Sequence, residues 1–311
     1  MKNPLGGFAD WINHKLTYRQ LLMAGYIFLV IIYLVVTQGS VGFDTLFVIF
    51  LGFAIFIRRA KTFIIDWAPF VLLIFLYESM RGIADDLNAR VHITDLIAWE
   101  RGLFGGAMPS LKLQGWLHPD GLSHWFDYIF GFFYAAHFIF PLALGFILWL
   151  KRRRYFRFFA NGFIILTLAG FATYVLFPAM PPWMASEQGY LPPVTKILNT
   201  LTQASAGVHL PTVYRVVGAN QIAAMPSLHA AWPWYTFLCL VFFFKKRGLW
   251  FGIVPLATWF GVVYLGEHYV IDVIAGIIYA SLAFLAVFLF RKRIISKEAT
   301  ENATKKPKSP D

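Results

Sequence analysis

The sequence predicts an all-α polytopic membrane protein with about eight transmembrane helices. The 311 residues are 59% hydrophobic and only 14% charged, and their mean hydropathy is +0.62. That composition is too apolar for a water-soluble domain, so a soluble enzyme is excluded. Long apolar stretches recur along the chain, and most Lys and Arg residues lie at the ends of these stretches. The net charge of +11 therefore indicates membrane topology rather than nucleic-acid binding.

Each predicted span approaches the roughly 17 to 25 mostly apolar residues that cross ~30 Å of hydrocarbon. The second and third stretches are short, and the third contains Glu78 and ends near Arg81. The eight predicted spans are residues 21–37, 42–57, 66–80, 124–150, 157–177, 226–244, 249–265 and 269–290.

The positive charges predict the orientation of these spans, because cytoplasmic loops carry an excess of Lys and Arg. With a cytoplasmic N-terminus, alternate loops divide the 27 basic residues unequally, and all but six lie on the cytoplasmic side. We therefore expect both termini to be cytoplasmic. The six on the opposite side are Arg81, Arg90, Arg101, Lys112, Lys196 and Arg215.

Two long polar segments, 81–123 and 178–225, then lie on the same outer face. They are either ordinary loops or, as is common for long ordered loops, walls of a binding site. Amphipathic pieces within them, such as 111–117, are typical of chain that lies in the lipid headgroup layer. The predicted organisation is an N-terminal cytoplasmic segment with two added helices (1–65), a membrane domain (66–290) and a disordered basic cytoplasmic tail (291–311).

Two histidines begin neighbouring spans on this outer side. His229 starts the sixth span and His268 starts the eighth, and the short loop before His268 places both at one membrane depth. Asp272 follows His268 by four residues, so on a helix its carboxylate can reach the imidazole and raise the basicity of the other nitrogen. Such an imidazole can attack phosphorus, while the second one protonates a leaving oxygen.

Other interpretations of these residues remain open. His268 and Asp272 can form a purely structural pair, or all three side chains can bind zinc or iron. Haem bound between His137 and another histidine is a further alternative. His137 lies in the middle of a span and needs a polar partner, either a neighbouring helix or a substrate. The favoured interpretation requires no metal and no cofactor.

The segment Met225-Pro226-Ser227-Leu228-His229, followed by His268-Tyr269-Val270-Ile271-Asp272, resembles the last two signature motifs of the type 2 phosphatidic acid phosphatase superfamily. The Ser-Leu-His form resembles in particular the branch that contains inositol phosphorylceramide synthases. The likeness covers about residues 70–290. Further similarities lie in Phe177–Trp183, His137, Tyr77–Gly82 and Leu103–Gly106.

The resemblance implies a six-helix core, formed here by the last six spans. It implies that His268 is the nucleophile, Asp272 its partner and His229 the general acid. Phosphatases of the superfamily carry Arg six residues before the nucleophile, but position 262 is Val, and their Lys-x6-Arg-Pro sequence is absent. Because phosphoryl transfer needs positive charge or donors around the phosphate, we expect other groups to bind it. The predicted contacts are Arg81, Arg215, backbone N–H groups near Ser227, and His137, with Arg101 and Lys112 as further candidates.

The resemblance therefore implies an integral-membrane lipid phosphotransferase that acts through a phosphohistidine at the extracytoplasmic or lumenal face. It would move a phospho-headgroup, inositol phosphate among them, between a phospholipid and an acceptor alcohol. One alternative is a phosphatase acting on phosphatidate or polyprenyl (di)phosphate, and another is a non-catalytic lipid carrier on the same scaffold. The expected partners are membrane lipids as substrate and product, without nucleic acid and without an obligatory protein partner.

Overall fold

The computed structural model describes residues 25–26, 43–87, 91–204 and 222–304, and its regular elements within these ranges are helices. An all-helical architecture agrees with the prediction. In chain order the helices are α1 Phe43–Phe56, α2 Ala60–Leu87, α3 Thr94–Leu103, α4 Pro109–Leu117, α5 Trp125–Ala136, α6 Ile139–Lys151, α7 Arg153–Leu176, α8 Pro182–Glu187, α9 Ile197–Ala204, α10 Leu228–Phe244, the 3₁₀-helix Lys245–Gly252, α11 Ile253–Tyr264 and α12 Val270–Thr304.

Two of the described helices are long and apolar enough to cross a membrane, namely α7 and the part of α12 over Val270–Phe290. The bent pair α5 and α6 would make a third span. Helix α10 has 17 residues and α11 has 12, so at 1.5 Å per residue they rise only ~25 Å and ~18 Å. The predicted total of eight stays a prediction, and the first predicted span lies, apart from residues 25 and 26, outside the described ranges.

The predicted span 124–150 is divided into α5 and α6, which meet at an angle of 47°. Pro141 lies in the first turn of α6 and has no N–H to donate to the carbonyl of His137, four residues earlier. The missing hydrogen bond weakens a continuous helix at this point. The bend therefore places His137 at the junction of α5 and α6 rather than inside a straight span.

The chain forms two compact units. The first comprises Met1–Pro69 with Gly207–Val216. In its described part, aromatic side chains of α1 pack against the start of α2: the ring centroids of Phe47 and Phe63 are 5.3 Å apart, and those of Phe50 and Trp67 are 5.7 Å apart. The predicted domain boundary between residues 65 and 66 stays a prediction.

The second unit comprises Phe70–Ala206 with Val217–Asp311 and contains both histidine motifs. Helix α10 packs against α7, α11 and α12. A Cβ on Gly276 of α12 would come within 2.4 Å of the Ser227 carbonyl oxygen, so glycine allows the two helices to approach closely. This approach brings the start of α10 beside the start of α12. The last helix continues to Thr304, beyond the predicted end of the membrane domain at residue 290.

Three connecting segments meet near the starts of these helices through isolated bridges of backbone hydrogen bonds. Ala179 bridges His92 on one side and Ala223 on the other. The N–H of Ala179 donates to Ile222 over 2.7 Å, and the N–H of Ala224 donates back to Ala179 over 3.0 Å. These bonds fix the backbone of Ala224, which contacts the candidate site.

Candidate active site

His229 and His268 contact each other directly. His229 lies in the first turn of α10, and His268 lies two residues before α12. The Nδ1 atom of His229 is 3.1 Å from the Nε2 atom of His268. His268 is 4% exposed, whereas His229 is half-buried. The structure therefore brings together the two imidazoles that the sequence analysis assigned to one site.

The contacts of His268 define which of its nitrogens carries the proton. Its Nδ1 atom lies 3.0 Å from the carbonyl oxygen of Ala224 and 3.5 Å from Oδ2 of Asp272. A carbonyl oxygen can only accept, so Nδ1 must donate. In a neutral imidazole the lone pair is then on Nε2. That lone pair faces Nδ1 of His229. An unprotonated nitrogen opposite the Asp272 contact is what a nucleophilic histidine needs.

Asp272 is fully buried and connects the two motifs. Its Oδ2 atom accepts the N–H of Tyr269 over 2.9 Å, and its carbonyl oxygen accepts the N–H of Ser227 over 3.0 Å. Ser227 is also the N-cap of α10, because its Oγ accepts the N–H of Ala230 over 3.3 Å. The described contacts of Ser227 therefore hold the two helix starts together, and its direct contact with phosphate stays a prediction.

Glu100 of α3 caps the helix that carries Asp272. Its two carboxylate oxygens accept the N–H groups of Val270 and Ile271 over 3.0 Å and 3.1 Å, and the side chain is fully buried. Burial raises the pKa of Glu100, and the two N–H donors oppose that rise. A carboxylate at a helix N-terminus also stabilises the helix through its dipole. No local sequence pattern indicated this contact, since 170 residues separate the partners.

The loop before His268 is held by its neighbours on both sides. Its Gly266 has a φ of +81°, a conformation that side chains rarely adopt. Gln114 of α4 donates to the carbonyls of Thr195 and Tyr264 over 2.8 Å and 2.9 Å, and it accepts the Thr195 N–H over 2.8 Å. The amide of Gln114 thus ties the loop to the chain that precedes α9.

Replacing Gly266 with alanine should disturb the site. The added Cβ would lie 2.8 Å from the Thr195 carbonyl oxygen, in addition to the cost of the positive φ, which is about 1 kcal/mol. We expect a lower melting temperature and a loss of activity of about tenfold or more, measured on the purified full chain in detergent. Gly115→Ala is the matched control, because a Cβ there meets nothing within 4 Å. Equal behaviour of the two variants would contradict the prediction.

His137 lies beside His229 at the junction of α5 and α6. The ring centroids of the two histidines are 4.0 Å apart, and His137 also stacks on Trp232 with centroids 5.4 Å apart. Its Nδ1 donates to the Tyr134 carbonyl over 2.5 Å. The Tyr134 ring in turn stacks on His229 at 4.3 Å. The rings of Tyr134 and His137 therefore both pack against the ring of His229.

The predicted cations are only partly described. Arg81 lies in α2, but its side chain, like the whole of Arg215, lies outside the described part of the structure. Arg101 and Lys112 are exposed. Lys196 is half-buried, and its ammonium lies 3.8 Å from the centroid of the Trp183 ring. Lys196 is one of the six basic residues predicted on the outer side, and no role in the site was predicted for it.

The metal-binding alternative receives no support from the described side chains. Within residues 45–73, 91–201 and 222–290, the described His, Cys, Asp and Glu residues do not form a group of three or more that could hold a metal ion. The described contacts of the two histidines instead match a pair in which one ring offers a lone pair to the other.

Comparisons with known proteins agree with the motifs. The family model described as PAP2 superfamily matches residues 94–286. The phosphoinositol dihydroceramide synthase of Bacteroides thetaiotaomicron is 31% identical over 234 residues, which cover 70% of this chain and 74% of that protein. No solved structure matches the chain.

Fungal proteins are also similar. The inositol phosphorylceramide synthase catalytic subunit AUR1 of Saccharomyces cerevisiae is 25% identical over 89% of this chain and 67% of its own length. The catalytic subunit of the same name from Schizosaccharomyces pombe is 25% identical over 91% of this chain and 68% of its own length. With its apolar helices, the chain is an integral membrane protein. It belongs to the PAP2 superfamily and is a lipid phosphotransferase or phosphatase of that superfamily.

Proposed function

We propose that the protein transfers inositol phosphate from phosphatidylinositol to the primary hydroxyl of a ceramide-type lipid. The names of its bacterial and fungal relatives support this substrate pair. The observation that carries the proposal is the 3.1 Å contact between His229 Nδ1 and His268 Nε2, with His268 Nδ1 directed to acceptors. This arrangement is suited to a nucleophile that works beside a proton donor.

In the first step, the Nε2 lone pair of His268 attacks the phosphorus of phosphatidylinositol. A P–N bond forms and the bond from phosphorus to the diacylglycerol oxygen breaks. Protonated His229 gives its proton to that oxygen, so neutral diacylglycerol leaves. The intermediate is a phosphohistidine that still carries inositol. Asp272 and the Ala224 carbonyl hold the Nδ1 proton and stabilise the charge that develops on the ring.

In the second step, the hydroxyl oxygen of the acceptor attacks phosphorus and gives its proton to His229. The P–N bond breaks, the lone pair returns to His268 Nε2, and His229 is again protonated. The products are inositol phosphorylceramide and free enzyme. Neither ATP nor another energy source is needed, because one phosphodiester replaces another.

The site is proposed to face the non-cytoplasmic side of the membrane, with both termini in the cytoplasm. The distribution of Lys and Arg along the sequence supports this orientation. Arg81, Arg215, Ser227 and His137 are proposed to contact the phosphate or the substrate. His137 has the strongest support, because its ring lies beside that of His229.

Reconstitution of the purified chain into liposomes tests the proposal. The liposomes contain phosphatidylinositol labelled in the inositol ring, together with dihydroceramide, and the lipids are separated after incubation. We expect label in a new phosphodiester lipid and an equal amount of diacylglycerol. Release of water-soluble inositol phosphate without a new lipid would instead favour a phosphatase, and absence of both products would overturn the proposal.

A further inference from the structure

Glu267 is a buried acid that the proposed chemistry does not use. It precedes His268 in the chain and is 9% exposed. Its Oε1 atom has no hydrogen-bond partner among the described residues. Burial raises the pKa of Glu267, whereas the charges of Lys196 and His268 and the side chain of Trp183 lower it. A buried acceptor without a partner costs free energy, so such a group is expected to have a role beyond packing.

Lys196 and Trp183 lie next to this acid. The Lys196 ammonium lies 3.8 Å from the centroid of the Trp183 ring, a cation–π distance that orients both side chains. Trp183 is buried, whereas Lys196 is half-buried. Of the three outer-side cations whose side chains the structure describes, Lys196 is the half-buried one.

Backbone hydrogen bonds hold these three residues against the loop that carries the nucleophile. The N–H of Trp183 donates to the Gly266 carbonyl over 3.1 Å, and the N–H of Ile197, next to Lys196, donates to the Leu265 carbonyl over 3.3 Å. The N–H groups of Glu267 and His268 both donate to the Val262 carbonyl over 3.1 Å. These hydrogen bonds therefore hold Glu267, Lys196 and Trp183 beside the loop that ends at His268.

We propose that Glu267, Lys196 and Trp183 form a subsite that binds the polyhydroxyl headgroup of the donor lipid. The free carboxylate oxygen Oε1 accepts a hydrogen bond from a ring hydroxyl. The ammonium donates to hydroxyl or phosphate oxygens, and the indole holds that ammonium over its ring. Such a set distinguishes a polyol from a small alkyl headgroup, because the analogue without hydroxyls leaves Oε1 of the buried acid unpaired. This inference rests on the proposed function, since it assigns the donor of that reaction.

Two donors with the same diacylglycerol leaving group test the subsite. These are phosphatidylinositol and phosphatidylmethanol, and release of diacylglycerol from each is measured with the full chain in mixed micelles. This readout counts transfer and hydrolysis alike. We expect Glu267→Gln and Lys196→Met each to lower kcat/KM for phosphatidylinositol by about tenfold, the loss of one hydrogen bond to a charged group. Activity on phosphatidylmethanol should change by less than about twofold. The ratio of kcat/KM for phosphatidylinositol to kcat/KM for phosphatidylmethanol should therefore fall by about tenfold.

Matched controls are Glu187→Gln and Lys151→Met, which remove an exposed acid and an exposed lysine from α8 and α6. Both should keep the preference of the unmodified protein. Equal losses on the two donors would assign Glu267 and Lys196 a structural role and overturn the subsite, as would an unchanged rate with phosphatidylinositol. If the unmodified protein releases diacylglycerol but forms no phosphodiester lipid with dihydroceramide, the proposed transferase fails while the donor comparison still decides the subsite. Failure to cleave phosphatidylinositol at all would overturn both.

Discussion

Replacing His268 with alanine is expected to abolish cleavage of the donor lipid, with a loss on the order of 10⁴-fold or more. The Nε2 lone pair that faces His229 has no substitute, because Asp272 is fully buried behind the ring and cannot reach the same position. Both formation of the phosphodiester lipid and release of diacylglycerol should fall together. The measurement is initial rate in proteoliposomes at matched protein content.

His124→Ala is the control for a general effect of removing an imidazole. His124 precedes α5 and is partly exposed, and its Nε2 lies 3.1 Å from Oδ1 of Asp120 rather than near the two site histidines. This variant should retain activity to within a few-fold. If His268→Ala retained substantial activity while His124→Ala did not, the assignment of the nucleophile would be wrong. Retention of lipid binding without catalysis by His268→Ala would separate chemistry from loss of fold.

The spacing of four residues predicted the pair His268 and Asp272 on the assumption that both lie on one helix. The contact is present at 3.5 Å, but His268 lies two residues before α12 rather than on it. The sequence did not indicate that the Ala224 carbonyl would be nearer to Nδ1 than Asp272, at 3.0 Å against 3.5 Å. That contact depends on the bridges around Ala179, in which the partners come from three separate segments. Every residue has a backbone carbonyl, so no sequence pattern indicates which one accepts a hydrogen bond. The Ala224 carbonyl can therefore be identified as the acceptor only from the fold.

The contacts of Glu100 and Gln114 could not be predicted from the sequence either. Both are polar residues in segments that the sequence assigned to the outer face, and nothing in their local pattern distinguishes them from solvent-exposed residues. Each becomes buried by contact with chain that lies far away in sequence, α12 for Glu100 and the Tyr264 carbonyl for Gln114. The division of 124–150 differs in kind, because Pro141 is a local cause visible in the sequence. Proline alone does not determine a break, since Pro69 and Pro233 lie inside α2 and α10.

Replacing His229 with alanine should have a large effect that depends on the leaving group. A general acid contributes about 10²–10⁴-fold when the departing oxygen must be protonated. We expect a loss in this range for phosphatidylinositol, whose diacylglycerol alkoxide is a poor leaving group. A donor in which 4-nitrophenol replaces diacylglycerol needs no proton at its leaving oxygen, so the rate of the first turnover with that donor should be largely preserved. The measurement is 4-nitrophenolate release in a rapid-mixing experiment, compared with diacylglycerol release from the natural donor.

Only the His229→Ala variant is expected to cleave the 4-nitrophenyl donor, and this difference distinguishes the role of His229 from that of His268. The His268→Ala variant should be inactive on both donors, because no nitrogen attacks phosphorus, whereas His229→Ala should show a first burst of 4-nitrophenolate and then stall. The stall is expected because the acceptor hydroxyl also needs His229, as a base, and the phosphohistidine then accumulates. His229 Nδ1 contacts His268 Nε2 over 3.1 Å. Removal of the His229 ring therefore leaves space into which the His268 ring can turn, and such a turn would slow cleavage of both donors. Rescue of neither variant by the activated donor would assign His229 a role in positioning His268 and contradict its role as the proton donor.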